Sequence, residues 1–273
     1  MPQRSFDHVV LAVRDLDAAA ERFRALGFTL TPRAEHAWGT ANHLAQFAGR
    51  CFIEILTVDR PELLARHVEG LDPEAWDFGR HNRDFLAKRE GASILVMSGS
   101  DSRADAAAFA SYGGHPPFDF ERQATLPDGS HAKVAFSLAF ASDPALPDCG
   151  FFTCHNRFPE VFWKPDFQAH ANGTQTMTAV VMAAPDPARH EAFLETFTGR
   201  PAEETAGGLR FPLASGQELL VLEPSAVPAH FPGQAAVAPG PHFFGIRLRS
   251  DRPGPAVTPA AEACGLAIAW ERP

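Results

Sequence analysis

The sequence lacks the short motifs that mark several common enzyme classes. It contains no GxGxxG, P-loop, G-x-S-x-G or HExxH pattern, which argues against a nucleotide-dependent enzyme, a nucleophile-elbow hydrolase and a zinc protease. CxxC pairs are also missing. The four cysteines, at positions 51, 149, 154 and 264, stand in or beside apolar runs, a placement typical of reduced, buried thiols and not of a disulfide framework.

Positive charge and long apolar runs are scarce. Lys and Arg total 24 against 33 Asp and Glu, so the formal net charge is -9, and such a chain repels nucleic-acid phosphates and anionic membrane surfaces. No apolar stretch of 18 residues occurs, and the first residues lead into an apolar strand without a charged leader or cleavage site. We therefore expect a cytoplasmic protein with a small-molecule substrate and with no nucleic-acid or membrane partner.

What the chain does contain is a repeated order of strands and helices. Residues 6–58 read as a strand, FDHVVLAV, a helix, LDAAAERFRALG, and three further short strands, which is a βαβββ unit. The same order can be traced from Gly91, again from Thr176, and incompletely from His242. A repeat of this length indicates duplicated modules.

These units predict an α+β fold in which repeated βαβββ modules form curved mixed sheets. The first pair of modules spans residues 1–156 and contains a helical insert at 59–90. An inter-module loop follows at 157–174, and a second, partly incomplete pair spans 175–273.

Three polar side chains interrupt the apolar strands of the first pair. His8 shares a strand face with Val10, Glu54 lies in FIEIL, and His155 ends the strand FFTCH. If two modules form one curved sheet, these side chains converge, and two imidazoles with one carboxylate can hold a divalent ion. Alternatives remain open: Glu54 at an edge strand or in a buried ion pair, and His155 bonded to backbone.

A second group of polar and aromatic residues can contact a substrate. Asn42 and Gln46 share one face of the third strand, where a solvent-exposed face is equally possible, and His36 and Trp38 precede that strand as a pocket rim or a turn anchor. In the inter-module loop, a set of residues is typical either of a lid or of a linker held by its aromatics: Glu160, Trp163, Gln168, His170 and Asn172.

Three segments together resemble a known superfamily. FDHVVLAVRDLDAAAERFRALGF, HAWGTANHLAQF with FIEIL, and CHNRFPEVFWKPDFQAHANGT resemble the glyoxalase, bleomycin-resistance and dioxygenase superfamily, also called the vicinal oxygen chelate fold, and within it the glyoxalase-like branch. The resemblance implies metal ligands at His8, Glu54 and His155, with Zn, Fe, Mn or Ni as the divalent ion. Ser93 and Ile94 stand where a fourth ligand would be, so the glyoxalase I ligand set is incomplete.

In the second pair of modules, Thr178 aligns with His8 and Leu220 with Glu54. Neither binds a metal well, so we expect that pair to hold no site of its own and to act as a packing partner, dimer surface or pocket wall. The resemblance permits either a monomer or a homodimer.

The resemblance implies a metal-dependent isomerase or lyase that acts through an enolate-like intermediate. Glu54 serves as ligand or displaced base, and His170 or Glu160 as acid or base. A ring-cleaving or other Fe(II) dioxygenase ranks lower, because such enzymes use a tyrosine and the only one, Tyr112, ends a helix. The alternative from another class is a metal-free small-molecule binding or resistance protein, which 23 Phe and 4 Trp would suit.

Overall fold

A computed structural model describes residues 4–64, 76–125, 131–234, 239–252 and 254–272. The strands are β1 (Phe6–Ala12), β2 (Ala34–Glu35), β3 (Thr40–Gln46), β4 (Phe52–Val58), β5 (Gly91–Ser98), β6 (Phe118–Thr125), β7 (His131–Ala141), β8 (Gly150–Asn156), β9 (Thr174–Ala183), β10 (Glu203–Thr205), β11 (Gly208–Pro212), β12 (Glu218–Leu222), β13 (His242–Ser250), β14 (Val257–Thr258) and β15 (Ala267–Glu271). The helices are α1 (Leu16–Ala25), α2 (Phe78–Leu86), α3 (Ser102–Ala108), α4 (Pro159–Phe162), α5 (Pro165–Gln168), α6 (Glu191–Thr198) and α7 (Val227–His230). Residues 65–75 of the predicted insert lie outside the described residues, as do residues 126–130 between β6 and β7.

Helix α1 shows how a module folds. The Asp15 side chain accepts a hydrogen bond from the backbone N–H of Ala18 and caps the helix. Buried residues at helical spacing, including Leu16 and Phe23, pack against the sheet. Gly27 follows with a φ of 87°, a left-handed conformation that glycine adopts without strain. The helix covers one face of the first sheet and leaves the other face free to line a cavity.

The strands form two sheets, with the orders β2-β3-β4-β1-β5-β8-β7-β6 and β10-β11-β12-β9-β13-β15-β14. In each module the last strand returns to lie parallel to the first one, as β4 does beside β1 and β8 beside β5. The two modules of the first sheet then join through the antiparallel pair β1 and β5. This topology brings β1 and β4, which carry His8 and Glu54, side by side at the centre of the sheet.

The first sheet curls until its two edges meet. Trp38, just before β3 on one side, packs edge-on against Phe118 and Phe120 of β6 on the other, with ring centroids 6.0 and 5.5 Å apart. Buried residues on the concave face include Val10, Val96 and Phe152. The predicted α+β fold of curved mixed sheets is confirmed.

The opposite face of the first sheet packs against the second sheet. One continuous apolar cluster contains Val9 and Phe151 from the first sheet and Met182, Phe243 and Ile246 from the second. Burial of so many large side chains supplies most of the favourable free energy of folding.

The concave face of the second sheet is filled by its own side chains. Phe231, which follows α7, is buried there beside Leu220. Arg247 forms ion pairs with Glu218 and Glu271, and Thr178 donates to the Glu271 carboxylate at 2.8 Å. The residues that align with His8 and Glu54 therefore serve packing and internal hydrogen bonding.

Among the described residues, no helix is both long and apolar enough to cross a membrane.

Candidate active site

A β-bulge turns Asp7 and His8 toward the same side of β1. In the pairing with β5, Phe6 lies opposite Met97 and His8 opposite Val96, so Asp7 is an extra residue without a partner. A bulge of this kind redirects a side chain and breaks the strict alternation of a strand. Asp7 and His8 consequently line the same cavity.

Glu54 approaches His8 because β4 is the parallel neighbour of β1, with Glu54 opposite Val10. His8 Nδ1 is 2.6 Å from Asp7 Oδ1, whereas His8 Nε2 is 3.4 Å from Glu54 Oε2. The first distance is that of a strong charge-assisted hydrogen bond, and the second is longer than the usual range of about 2.7–3.2 Å. The Nε2 proton is thus available to another acceptor in the cavity.

These three residues form a buried charged group. Burial lowers the pKa of His8, but hydrogen bonds and charge attraction from Asp7 and Glu54 outweigh it and raise that pKa to about 9. Burial raises the pKa of Glu54, but the His8 imidazolium and the Asn42 hydrogen bond outweigh it and hold that pKa below its ordinary value. At neutral pH the cavity therefore presents an imidazolium and an ionised carboxylate.

Asn42 completes the polar group from β3. Its Nδ2 donates to Glu54 Oε1 at 2.6 Å, and this orientation of the amide follows from chemistry, since an ionised carboxylate only accepts. Asn42 is 6% exposed, and its buried Oδ1 has no hydrogen-bond partner among the described residues. An unsatisfied buried acceptor costs about 1–3 kcal/mol, so this amide oxygen is a costly feature of the cavity wall.

The cavity around this group is large and mostly aromatic. Its volume is about 660 Å³, within the range of small-molecule sites. The His8 ring stacks on Phe52 with centroids 4.3 Å apart and meets the edge of Phe152 at 5.7 Å. Trp76 and Phe78, from the described part of the predicted insert, form a further wall.

His36 and Trp38 line the cavity as a stacked pair, with ring centroids 4.6 Å apart. His36 Nδ1 lies 2.8 Å from Thr40 Oγ1. Trp38 Nε1, like Asn42 Oδ1, is buried and has no hydrogen-bond partner within the described part of the chain. His36 and Trp38 therefore both line the cavity, at the place where the sequence predicted a pocket rim.

Residues 157–174, which we call the strap, close another side of the cavity. Phe162, Lys164 and Phe167 line it. Gln46 holds the strap from β3, because its Nε2 donates to the Phe162 carbonyl at 3.0 Å and its Oε1 accepts from the Lys164 N–H at 3.3 Å. The Gln46 amide, expected to bind substrate, therefore bonds to the backbone of the strap.

His155 and Glu160 do not reach the cavity, and both expectations need correction. On β8 the cavity is lined by Phe152, Cys154 and Asn156, so His155, the expected third metal ligand, lies on the other face by strand alternation. Glu160, an expected acid or base, is exposed to solvent at the start of α4 and does not line the cavity.

His170 is a structural anchor and not an acid or base of the site. Its Nδ1 accepts from the Thr29 N–H at 3.0 Å, and its Nε2 donates to the Gln46 carbonyl at 2.7 Å. Burial lowers its pKa, which favours the neutral ring that this pair of bonds requires. The imidazole therefore ties the strap to the first module.

The remaining three strap residues also support the fold and lie outside the cavity lining. Gln168 Nε2 donates to the Phe47 carbonyl at 3.3 Å, and Asn172 Nδ2 donates to the Leu26 carbonyl at 2.9 Å. Trp163 packs behind the cavity wall against Phe52, with ring centroids 5.9 Å apart. These three side chains therefore contact other protein groups from outside the cavity lining.

The donor set does not fit the expected three-ligand metal centre. Across the sheet, His8 pairs with Val96, which pairs with Phe152, so apolar side chains stand where the second module would supply ligands. Cys154 shares that face, but burial raises the pKa of its thiol well above its ordinary value, which disfavours the ligating thiolate. No group of three or more His, Cys, Asp or Glu within the described ranges can hold a metal ion.

Sequence reasoning missed Asp7 and Lys164. A strictly alternating strand places Asp7 opposite to His8, and only the bulge reverses this. The adjacent Asp-His pair was the available signal, since a carboxylate beside an imidazole raises its pKa. Lys164 stands in a segment without regular periodicity, where sequence gives no direction for a side chain.

Several solved structures are similar to this chain. A hypothetical protein from Staphylococcus aureus superposes with a TM-score of 0.71 at 15% identity, covering 99% of this chain and 100% of that chain. A xylose isomerase-like TIM barrel/4-hydroxyphenylpyruvate dioxygenase fusion protein matches with a TM-score of 0.52 at 13% identity, covering 92% of this chain and 38% of that chain. The Mn(II)-bound glyoxalase from Novosphingobium aromaticivorans matches at 12% identity with a TM-score of 0.45, covering 89% of this chain and 64% of that chain.

The first two of these likenesses show a shared fold. Residues 6–198, more than half of the 273-residue chain, match the family described as a glyoxalase-like domain. The chain therefore belongs to the glyoxalase-like domain family, and the family predicted from the sequence is confirmed. A comparison with curated protein sequences found no match.

Proposed function

We propose that the protein is an isomerase or lyase that removes a proton from a carbon next to a carbonyl group of a small, largely apolar substrate. The observation that carries this proposal is the buried pair formed by ionised Glu54 and the His8 imidazolium, 3.4 Å apart on the wall of an aromatic cavity. A base and a hydrogen-bond donor beside each other are what enolate formation needs.

Each residue has one task in the proposed reaction. Glu54 accepts the proton, the electron pair of the broken C–H bond forms the carbon–carbon double bond of the enolate, and the carbonyl oxygen gains the negative charge. The His8 Nε2–H donates to that oxygen. Transfer of that proton from Glu54 to a different carbon of a conjugated enolate shifts the double bond and completes an isomerisation, whereas departure of a group from the next carbon with its bonding electron pair completes an elimination.

The surroundings favour this chemistry. Asp7 fixes the His8 ring through its 2.6 Å contact with Nδ1, and Asn42 fixes Glu54 through its 2.6 Å bond to Oε1. The aromatic walls exclude water, which strengthens the electrostatic interactions of the pair. From general magnitudes, the base contributes about 10²–10⁴-fold and one oxyanion donor about 10²–10³-fold to the rate.

No step of this proposal passes through the expected divalent ion, whether Zn, Fe, Mn or Ni. His8 and Glu54 supply two donors, and Val96 and Phe152 occupy the corresponding places on β5 and β8. The Fe(II) dioxygenase alternative needs a third protein ligand, and the described residues do not provide one.

A second candidate, a protein that binds and sequesters an apolar ligand, is favoured by the same large aromatic cavity. The two candidates predict different behaviour in deuterium oxide. A panel of 2-oxo acids, 2-hydroxy aldehydes and aryl ketones is incubated with the protein and followed by proton NMR.

Loss of the signal from hydrogen on the carbon next to the carbonyl supports the enzyme. The control is Glu160→Gln, because Glu160 is exposed and lies outside the cavity lining. Exchange that persists in Glu54→Gln contradicts the proposed base. Stoichiometric binding of panel compounds without any exchange supports the binding protein instead.

A further inference from the structure

Besides His36 and Cys154, six chargeable residues among those described line the cavity, and five of these six have ionic partners within the protein. Asp7, His8 and Glu54 form the group described above. Of the other three, Arg33 pairs with Asp59, and Asp77 with Arg80 at 3.2 Å.

Lys164 is the exception. No carboxylate of the described residues forms a salt bridge with it, although it is half-buried and lines the cavity. An ammonium group without a counterion at a cavity wall is a hydrogen-bond donor that an anionic ligand can use.

The position of Lys164 is built by the fold. Gln46, only 2% exposed, accepts the Lys164 N–H at 3.3 Å and donates to the Phe162 carbonyl at 3.0 Å. The buried Gln46 amide thus uses both its nitrogen and its oxygen to hold the backbone of Phe162 and Lys164. Such fixation lowers the entropy cost of presenting the side chain to a ligand.

The strand register gives the distance to the reacting group. Leu44 lies opposite Glu54 and Gln46 opposite Phe52, so the anchor of Lys164 is two residues along β3 from the level of Glu54. Two residues of a strand span roughly 7 Å. The backbone anchor of Lys164 is therefore displaced along the sheet from Glu54, on the side of the cavity that the strap closes.

We infer that Lys164 determines specificity by binding a carboxylate at the end of the substrate opposite to the reacting carbon. The substrate is then an apolar, aryl- or alkyl-containing carboxylic acid. A carboxylate fits better than a phosphate, because a phosphate is typically held by several donors and Arg33, the other cation of the wall besides His8, is already paired. This inference rests on the proposed function, since it assumes that the cavity is the substrate site.

The chain contains three lysines, at 88, 133 and 164, which permits a labelling test without turnover. Lys88 pairs with Asp148 and Lys133 with Glu121 on the surface, at 2.5 and 2.6 Å, so these two serve as internal controls. The protein is treated with an amine-acylating reagent in the presence of 3-phenylpropanoate, 2-naphthylacetate or the corresponding uncharged amides, and acylation of each lysine is followed by mass spectrometry.

We expect the acids to slow acylation of Lys164 at least threefold, the amides to leave it unchanged, and the two control lysines to react at the same rate throughout. In calorimetry, Lys164→Met weakens binding of the acids about tenfold or more, as expected for loss of a charged hydrogen bond, with the amides unaffected. Lys164→Arg retains selectivity for the acids, and Lys133→Met behaves as the wild type.

Protection of Lys164 by amides as strongly as by acids, equal acid affinity in Lys164→Met, or no protection by either acid would each overturn the inference. The proposed function is tested separately. If no panel compound exchanges deuterium, the proposed function fails, but the labelling experiment still tests whether Lys164 binds a carboxylate. If the acids do not protect Lys164, the inference about Lys164 fails, but deuterium exchange still tests the role of Glu54.

Discussion

Replacing Asp7 by asparagine tests the electrostatic design of the site. The pKa of His8 is raised from its ordinary value of 6.5 to about 9, which corresponds to about 3 kcal/mol of preference for the protonated ring. Burial opposes this rise, so removal of one of the two carboxylates lowers the pKa of His8, by about one pH unit or more. The neutral asparagine side chain has nearly the same size as the aspartate that it replaces, so the bulge is retained.

The same change alters how stability depends on pH. A group whose pKa is raised by folding contributes stability that is complete below its unfolded value and is lost as pH rises through its folded value. For His8 this window runs from 6.5 to about 9. We expect the wild-type free energy of unfolding to fall by about 3 kcal/mol across that window, and Asp7→Asn to lose much less over the same range.

The assay combines NMR titration of the histidine ring protons with urea unfolding at pH 6, 7.5 and 9. The control is Asp17→Asn, because Asp17 is exposed on α1 and its loss leaves the His8 titration unchanged. A wild-type His8 that titrates near or below 6.5, or an Asp7→Asn protein with an unchanged His8 pKa, would refute the reasoning.

Three further predictions concern the strap, the second sheet and the metal question. Gln46→Leu removes both hydrogen bonds to the strap and leaves strap backbone groups unpaired. We therefore expect the free energy of unfolding in urea to fall by about 1–3 kcal/mol and ligand binding in calorimetry to weaken. Unchanged ligand binding would contradict the positioning role of Gln46. Phe231→Ala, at a fully buried position of the second sheet, lowers stability by about 3–5 kcal/mol and leaves ligand binding in the folded protein unchanged, which calorimetry checks. The Phe152 ring centroid lies 5.7 Å from that of His8, so Phe152→His places a second imidazole near His8. We expect the affinity for Zn(II) to rise at least tenfold. An affinity equal to that of the wild type would show that the missing third donor is not what limits metal binding.

The parts of the fold and site that could be predicted are those set by local pattern. Asp15, the apolar helix face and Gly27 define α1 within one short segment, and the βαβββ order follows from such segments. His8 and Glu54 stand out because each interrupts an apolar strand, where a buried polar group requires a partner. Their meeting follows from the parallel return of β4 beside β1.

The predictions that were wrong or missing depend on the register of a single residue or on contacts between distant parts of the chain. His155 and Cys154 are neighbours, and a shift of one residue in a strand exchanges the two faces. The bulge that redirects Asp7 arises from the pairing with β5, about ninety residues along the chain. His170 resembles a catalytic histidine in sequence, yet its partners Thr29 and Gln46 become visible only when the strap is folded onto β3.

The most direct test of the central claim is the rate of deuterium incorporation, at pH 7, into a panel compound that the wild-type protein exchanges. The account predicts that Glu54→Gln reduces this rate by about 10²–10⁴-fold, while Glu160→Gln keeps the wild-type rate and both variants bind the compound. Equal rates in the wild type and Glu54→Gln would contradict it.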